Sequence, residues 1–504
     1  MKKTALALLI CFCFLSARAE QDPWAALNAE AKRHLINLIN IDTSLPEPDE
    51  LSAARYLYKE FNKHQIDWDI FIPSKGRANL MARIKGSDPE QKPLLLISHL
   101  DTAPAAEGWS YPPFKATVEK GNIYGLGSTD AKNYTAAYLA LFTWLKDQNL
   151  PPKRDIIFLA TSGEESGSET GLLWLGAAHW DKIKPGFALN EGGGIIKNKD
   201  GVDVIFAEAS TKMYMDIKIT AYGTGVHSSM PVNDNAVYLL SQALAKIAAY
   251  NPPAKLTPTA RTFFKTIAPL QDEDGQTTID FLLSGGPQTQ SSAAEIMALD
   301  PFFRSQLKDT LNPTVLSASK DSGSASGEAS AVINVRLLPG TDPDDFFEHV
   351  KEIFKDEENI SLEILERPQT PFPAPMDGTD PLFASISKTA AKILPGAITV
   401  PGMSPASGDN EFLRKLGVIT YGLGPDMDPL GENTAHAPDE FISEKDFFNQ
   451  LQFISGIIFD FAYGEDLLPL TPQETPRTKP NNPSFSELYN ATSKNDKLRR
   501  TEIR

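Results

Sequence analysis

The chain has 504 residues, a formal net charge of −17 and 41% hydrophobic residues. At ~150 residues per domain, that length predicts two or three domains and a sizeable core. The acidic balance excludes a nucleic-acid binder working by phosphate neutralisation, because no basic excess is available.

At the N-terminus, Lys2 and Lys3 precede an apolar run from Ala5 to Leu15, and Ala17-Arg18-Ala19 fits a small-residue cleavage site. This pattern predicts a Sec-type signal peptide over residues 1–19, too short to span a bilayer as a helix. The expected product starts at Glu20 and is periplasmic or secreted, with no stable membrane insertion after cleavage. Ile10 is too bulky for a lipoprotein site at Cys11. Both cysteines, Cys11 and Cys13, fall inside the signal. The mature chain therefore has no disulfide, thiolate ligand or cysteine nucleophile, and any metal must be held by His, Asp and Glu.

Next in the chain, Ala29 to Ile41 and Leu51 to Lys63 read as helices, and Leu80 to Ile84 and Leu94 to Ser98 as buried strands. Ala137, Tyr138, Leu141, Phe142 and Leu145 form one apolar helical face, and Ile156 to Ala160 is a further strand. Such alternation predicts an α/β sheet flanked by helices. A second unit follows: a strand over Met213 to Ala221, a helix over Asn235 to Ala249, a strand over Ala329 to Leu337, a helix over Asp342 to Lys355 and a strand over Ile360 to Leu365. From Pro252 to about Asp321 no clear period is present, and irregular structure is expected. The first pattern resumes with a strand over Ile419 to Leu423 and a helix over Asp446 to Ala462. The Pro-, Asn- and Lys-rich segment 465–504 reads as an extension.

The chemistry-bearing residues sit at the ends of these elements. His99 closes an apolar run, and Asp101 follows two residues later. A strand-end His beside a carboxylate suits a metal ligand and the group that orients it, although a packed His fits equally well. Asp130 lies between the glycine-rich Gly125-Leu126-Gly127 and a helix start; alone, it is as well explained as a cap. Glu164 and Glu165 follow the strand Ile156 to Ala160. Adjacent carboxylates there repel unless a cation compensates them. Glu191 again follows a strand, in Asn190-Glu191-Gly192-Gly193, and His436 precedes the last helix. Each signal is weak singly, but together they form an all-N/O set suited to zinc, with manganese or cobalt as chemical substitutes.

The order H-x-D, G-x-G-x-x-D, E-E, N-E-G-G and A-H-A-P-D-E resembles the M20 family of metallopeptidases. Gly223 to Pro231 (GTGVHSSMP) and Ile333 to Gly340 (INVRLLPG) are similar to that family's lid motifs. The Asn-Glu-Gly-Gly form and long lid insert are most like the carboxypeptidase S and N-acyl-amino-acid hydrolase branch. The resemblance implies an α/β fold: a zinc-exopeptidase-like catalytic domain (20–209 and 370–464), with an inserted α+β lid or dimerisation domain (210–369). It implies two zinc ions per chain. Asp130 would bridge them, Glu165 and His436 would complete one site, and His99 and Glu191 the other. Asp101 would orient His99, Glu164 would be the general base, and His227 would stabilise the oxyanion, in this family often across a dimer. Arg336 would take a substrate carboxylate. The implied substrate is a small peptide or N-acyl amino acid, and a homodimer through the lid is expected. A dipeptidase, and a non-catalytic binding protein on the same fold, are the alternatives; the intact ligand set argues against the second.

Three segments depart from the family pattern, the last two at expected substrate contacts. Gly163 replaces a frequent Asp before the Glu pair. The usual Asn turn before the lid strand reads Gly323-Ser324-Ala325-Ser326-Gly327. The late T-D-x-R segment reads Gly408-Asp409-Asn410-Glu411, with Glu411 in place of Arg.

Overall fold

The computed structural model describes residues 22–197, 202–368, 376–405, 408–424 and 434–472. The expected signal peptide and most of the expected C-terminal extension lie outside them.

The chain forms a mixed α/β architecture. In spatial order, the main path of the large sheet runs Trp68–Phe71, Asn79–Ile84, Ile156–Thr161, Leu94–His99, Phe187–Asn190, Ile419–Gly422, Asp203–Thr211 and Ile398–Ser404; Gly194–Lys197 pairs with Asp203–Thr211 beside it. Its four inner strands, Ile156–Thr161, Leu94–His99, Phe187–Asn190 and Ile419–Gly422, are mutually parallel. Leu94–His99 and Ile156–Thr161 are buried at every position, which is why they read as unbroken apolar runs rather than alternating ones. Helices Ala25–Ile39, Lys132–Gln148 and Glu444–Ile458 cover one face in a single apolar core, while Leu172, Leu175 and Leu413 belong to the core on the other.

The smaller sheet is antiparallel, in the order Thr310–Ser317, Glu328–Leu337, Met213–Tyr222, Ile360–Glu366. Met213, Met215, Ile217 and Ile219 pack with Ile333 and Val335 beneath helices Ala236–Ala249 and Pro343–Glu352. The alternate residues Tyr214, Asp216, Asn334 and Arg336 stand on the opposite face, with Tyr214 paired to Arg336 and Asp216 to Asn334. Only Lys212 separates the last strand residue of the large sheet, Thr211, from the first of the small one, Met213. Its ammonium donates to the Lys308 carbonyl at 2.6 Å.

The segment expected to be irregular is instead helical: Pro258–Ile267, Glu273–Ser284, Pro287–Met297 and Pro301–Leu307. These helices are short and half polar, so periodicity barely registers. Their caps carry the signal. Thr257, Asp272 and Asp300 accept backbone N–H bonds, and proline follows at N1 or N2 in three of the four helices. Phe263, Phe264 and Met297 pack with Val204, Phe206 and Val400 of the large sheet. The cluster thereby covers an outer strand whose unpaired backbone would otherwise face water.

In the first helix, His34 is buried, and its Nδ1 lies 2.6 Å from the Tyr56 hydroxyl. Burial, reinforced by Arg33, pushes its pKa down to about 4 from 6.5. The neutral ring is common to folded and unfolded chains above 6.5. As pH falls from there toward 4, only the unfolded chain gains the proton, so stability is lost across that window. Denaturant melts should therefore find His34→Gln less acid-sensitive between pH 7.5 and 4.5, by about 2 kcal/mol; equal losses would contradict the burial argument.

Candidate metal centre

Parallel strands bring their carboxyl ends to one edge of the large sheet, where α/β proteins place ligand sites. His99 is the last residue of its strand. Glu164 and Glu165 open the single 3₁₀ turn after Ile156–Thr161, and Glu191 directly follows Phe187–Asn190. Gly163 enters that turn at φ 75, where a Cβ would crowd Thr170 and Arg77. Asp130 precedes helix Lys132–Gln148 through a cis peptide to Ala131. His436 adopts a left-handed conformation at φ 63, a strain of about 1–2 kcal/mol for a non-glycine residue. Its loop is pinned by Asp439, which accepts N–H bonds from Ser110 at 2.7 Å and Tyr111 at 3.0 Å.

The five expected ligands converge. His99 Nε2 lies 3.0 Å from Asp130 Oδ1 and 3.2 Å from Glu191 Oε1. His436 Nε2 lies 3.1 Å from both Asp130 Oδ2 and Glu165 Oε1. Each oxygen of Asp130 thus faces one His–carboxylate half. Glu164 stands with them: donor atoms of His99, Glu164 and Glu191, and of His99, Asp130 and Glu165, fall within 4.8 Å of one another. Bonds of ~2.0–2.1 Å at tetrahedral angles place donor atoms ~3.3 Å apart, so the set fits two small divalent cations.

A second layer holds these groups in place. The Asp101 carboxylate accepts from the backbone N–H of Glu164 at 3.2 Å and Glu165 at 3.1 Å. His99 Nδ1 bonds the Asp101 carbonyl at 2.9 Å, with the carboxylate at 3.7 Å. Asp101 therefore orients the ring mainly through its backbone and uses its side chain to fix the Glu pair. Glu440 accepts from Thr129 N at 2.8 Å and Gly127 N at 3.2 Å, tethering the Asp130 loop to the His436 loop. Behind Glu191, Asn410 Nδ2 donates to the Glu191 carbonyl at 2.9 Å and to Glu208 at 2.8 Å. Arg414 closes that network on Glu208 at 3.1 Å. Sequence reading missed Glu208, an acid inside a buried strand, which was the available signal.

The charges are out of balance without cations. Burial holds the Glu164 carboxyl well above its ordinary value and pushes Glu191 up to about 7 and Asp409 up to about 6. Bonds from Asp130 and Glu165 push His436 up to about 10. Burial opposes a charged His99 ring, yet Glu191 and Asp130 outweigh it and hold the ring well above the usual value. Five carboxyl groups around two imidazoles call for added positive charge.

A cavity of about 440 Å³ opens over these residues, also lined by Glu208, Thr211 and Ser404. A second cleft of about 460 Å³ shares Glu164, Glu165 and Gly408 with it and reaches the small sheet at Tyr214 and Arg336. Arg336 Nε donates to Asn334 Oδ1 at 3.1 Å, and its guanidinium lies 4.8 Å from the centre of the Tyr214 ring. His227 is exposed on the small domain, beside Ser229 at 2.8 Å, and lines neither space. Asp101→Asn removes an acceptor for the two Glu amides and should weaken zinc binding about 10- to 100-fold, measured by competition with a chromophoric chelator. Unchanged affinity would deny Asp101 that supporting role.

A family model described as Peptidase family M20/M25/M40 matches residues 95–460. The chain is 29% identical over 421 residues to a probable succinyl-diaminopimelate desuccinylase of Staphylococcus aureus (strain MSSA476), covering 82% of this chain and 93% of the relative. It is 27% identical over 423 residues to the probable carboxypeptidase S-like 2 of Dictyostelium discoideum, covering 82% and 79%. Among solved structures, the M20 family metallo-carboxypeptidase Sso-CP2 from Sulfolobus solfataricus superposes with a TM-score of 0.62 at 21% identity, covering 85% of this chain and 98% of that one. The strand-end ligand set, its fold and these likenesses agree: the chain is a hydrolase that belongs to the peptidase family M20/M25/M40.

Proposed function

We propose that the protein is exported and hydrolyses an amide or peptide bond adjacent to a free carboxylate, in a small peptide or an N-acyl amino acid. The observation that carries this reading is the shared Asp130 between two His–carboxylate halves, with Glu164 beside them and Arg336 on the adjoining cleft. His99, Glu191 and Asp130 would hold one divalent ion, and Asp130, Glu165 and His436 the other; zinc suits the set, with manganese or cobalt as substitutes. Such a pair supplies a polarised carbonyl and acidified water. Glu164 takes the proton of the attacking water and delivers it to the leaving amine. The Arg336 guanidinium offers a carboxylate a matching fork, and Asn334 and Tyr214 fix its direction.

His227 is assigned to the oxyanion of the transition state. Standing outside both spaces, it would act from the lid of a partner subunit in a homodimer; donors of this kind lower a barrier by ~3–4 kcal/mol. Light scattering would test the dimer. Export rests on the signal pattern of residues 1–19, and among the described residues no helix is long and apolar enough to cross a membrane. The dipeptidase alternative is separated by a panel of N-acyl amino acids against unblocked dipeptides.

Glu164→Ala should abolish hydrolysis while elemental analysis still finds two metals per chain; turnover at near wild-type rate would defeat the assignment of the base. Wild-type protein lacking metal and insensitive to chelators would defeat the whole reading. Mass spectrometry of the exported protein should place its first residue at Glu20, and an uncleaved Met1 would refute the signal assignment.

A further inference from the structure

Among the described residues, one carboxyl oxygen on the lid-side cleft has no hydrogen-bond donor. Glu411 stands in the first turn of helix Asp409–Lys415 and lines that cleft with Tyr214, Arg336 and Phe412. Its Oε2 is enclosed and has no hydrogen-bond partner among the described residues. The neighbouring cation, Arg414, gives Nη2 to Glu208 and Nε to the Thr420 carbonyl, and among the described residues its buried Nη1 makes no hydrogen bond to Glu411. Arg367, also on the cleft wall, pairs with Asp344. Arg336 feels the Glu411 charge, but no ion pair between them forms among the described residues. Its Nε turns to Asn334 and its plane to Tyr214.

An enclosed carboxylate without a donor is costly to keep, and it becomes favourable when a ligand brings the donor. The cleft therefore presents a guanidinium and, at a separate point, a carboxyl group that burial pushes up to about 7 and a bound cation would ionise, immediately beside Glu164. Arg336 matches a carboxylate. Glu411 matches a cation on the same moiety, and it repels a second carboxylate there.

We propose that Glu411 is a specificity-determining residue that receives an ammonium group on the substrate residue whose carboxylate Arg336 takes. This rests on the hydrolase reading above and names its preferred class: amides of an amino acid with a cationic side chain, as in N-acyl-lysine. A charge-assisted bond in an enclosed site separates the cationic substrate from its neutral isostere by about 10- to 100-fold.

The test compares kcat/KM of metal-loaded full-length protein on N-acetyl-lysine, N-acetyl-norleucine and N-acetyl-glutamate, each repeated as the hexanoyl derivative. The wild type should favour lysine over norleucine by about tenfold or more, with glutamate poorest. Glu411→Gln should bring the lysine-to-norleucine ratio close to one. Equal wild-type rates on lysine and norleucine would overturn this inference alone, and need no variant. A preference surviving in Glu411→Gln would also overturn it. Absence of turnover on all six compounds would overturn the N-acyl-amino-acid reading together with this inference.

Discussion

Crowding of like charge is the constraint around which the rest of this molecule is arranged. Asp130, Glu164, Glu165, Glu191 and Asp409 line one cavity at the end of the large sheet. In water they would separate. Here each is anchored to a different element, and those elements are joined by a core in which Leu94, Leu96, Phe158 and Leu189 are almost wholly buried. Apolar packing supplies the force that holds the carboxyl groups together, and a pair of histidines supplies only part of the compensating charge. The second layer serves the same end. Asp101, Glu440 and the Asn410–Glu208–Arg414 network tie the adjacent loops to one another through backbone and side-chain bonds.

Much of this was legible in the sequence because strand ends are legible. A fully buried parallel strand reads as an apolar run, and the first polar residue beyond it marks the crevice. His99, Glu165 and Glu191 all lie at or a few residues beyond the end of such a run, and the structure brings them together with Asp130 and His436. The inner strands and the lid strands also fall near their expected positions, since each has a single dominant period.

The rest was hidden for physical reasons. The four helices from Pro258 to Leu307 are too short and polar to reveal a period, and their caps were the available evidence. Glu208 escaped because an acid inside a buried strand looks like a break in it, until Arg414 and Asn410 arrive from two hundred residues away. Glu411 appeared as a departure from a familiar motif; its position on the cleft gives that departure a chemical meaning.

Lys212 joins the two sheets with no slack on either side. Its ammonium is bound to the Lys308 carbonyl, at the point where the helical cluster hands the chain back to the small sheet. Two of the places where the chain passes between the sheets are thus fastened to each other by that bond. The small sheet, and with it Arg336, is therefore tied directly to the large-sheet strand that carries Glu208.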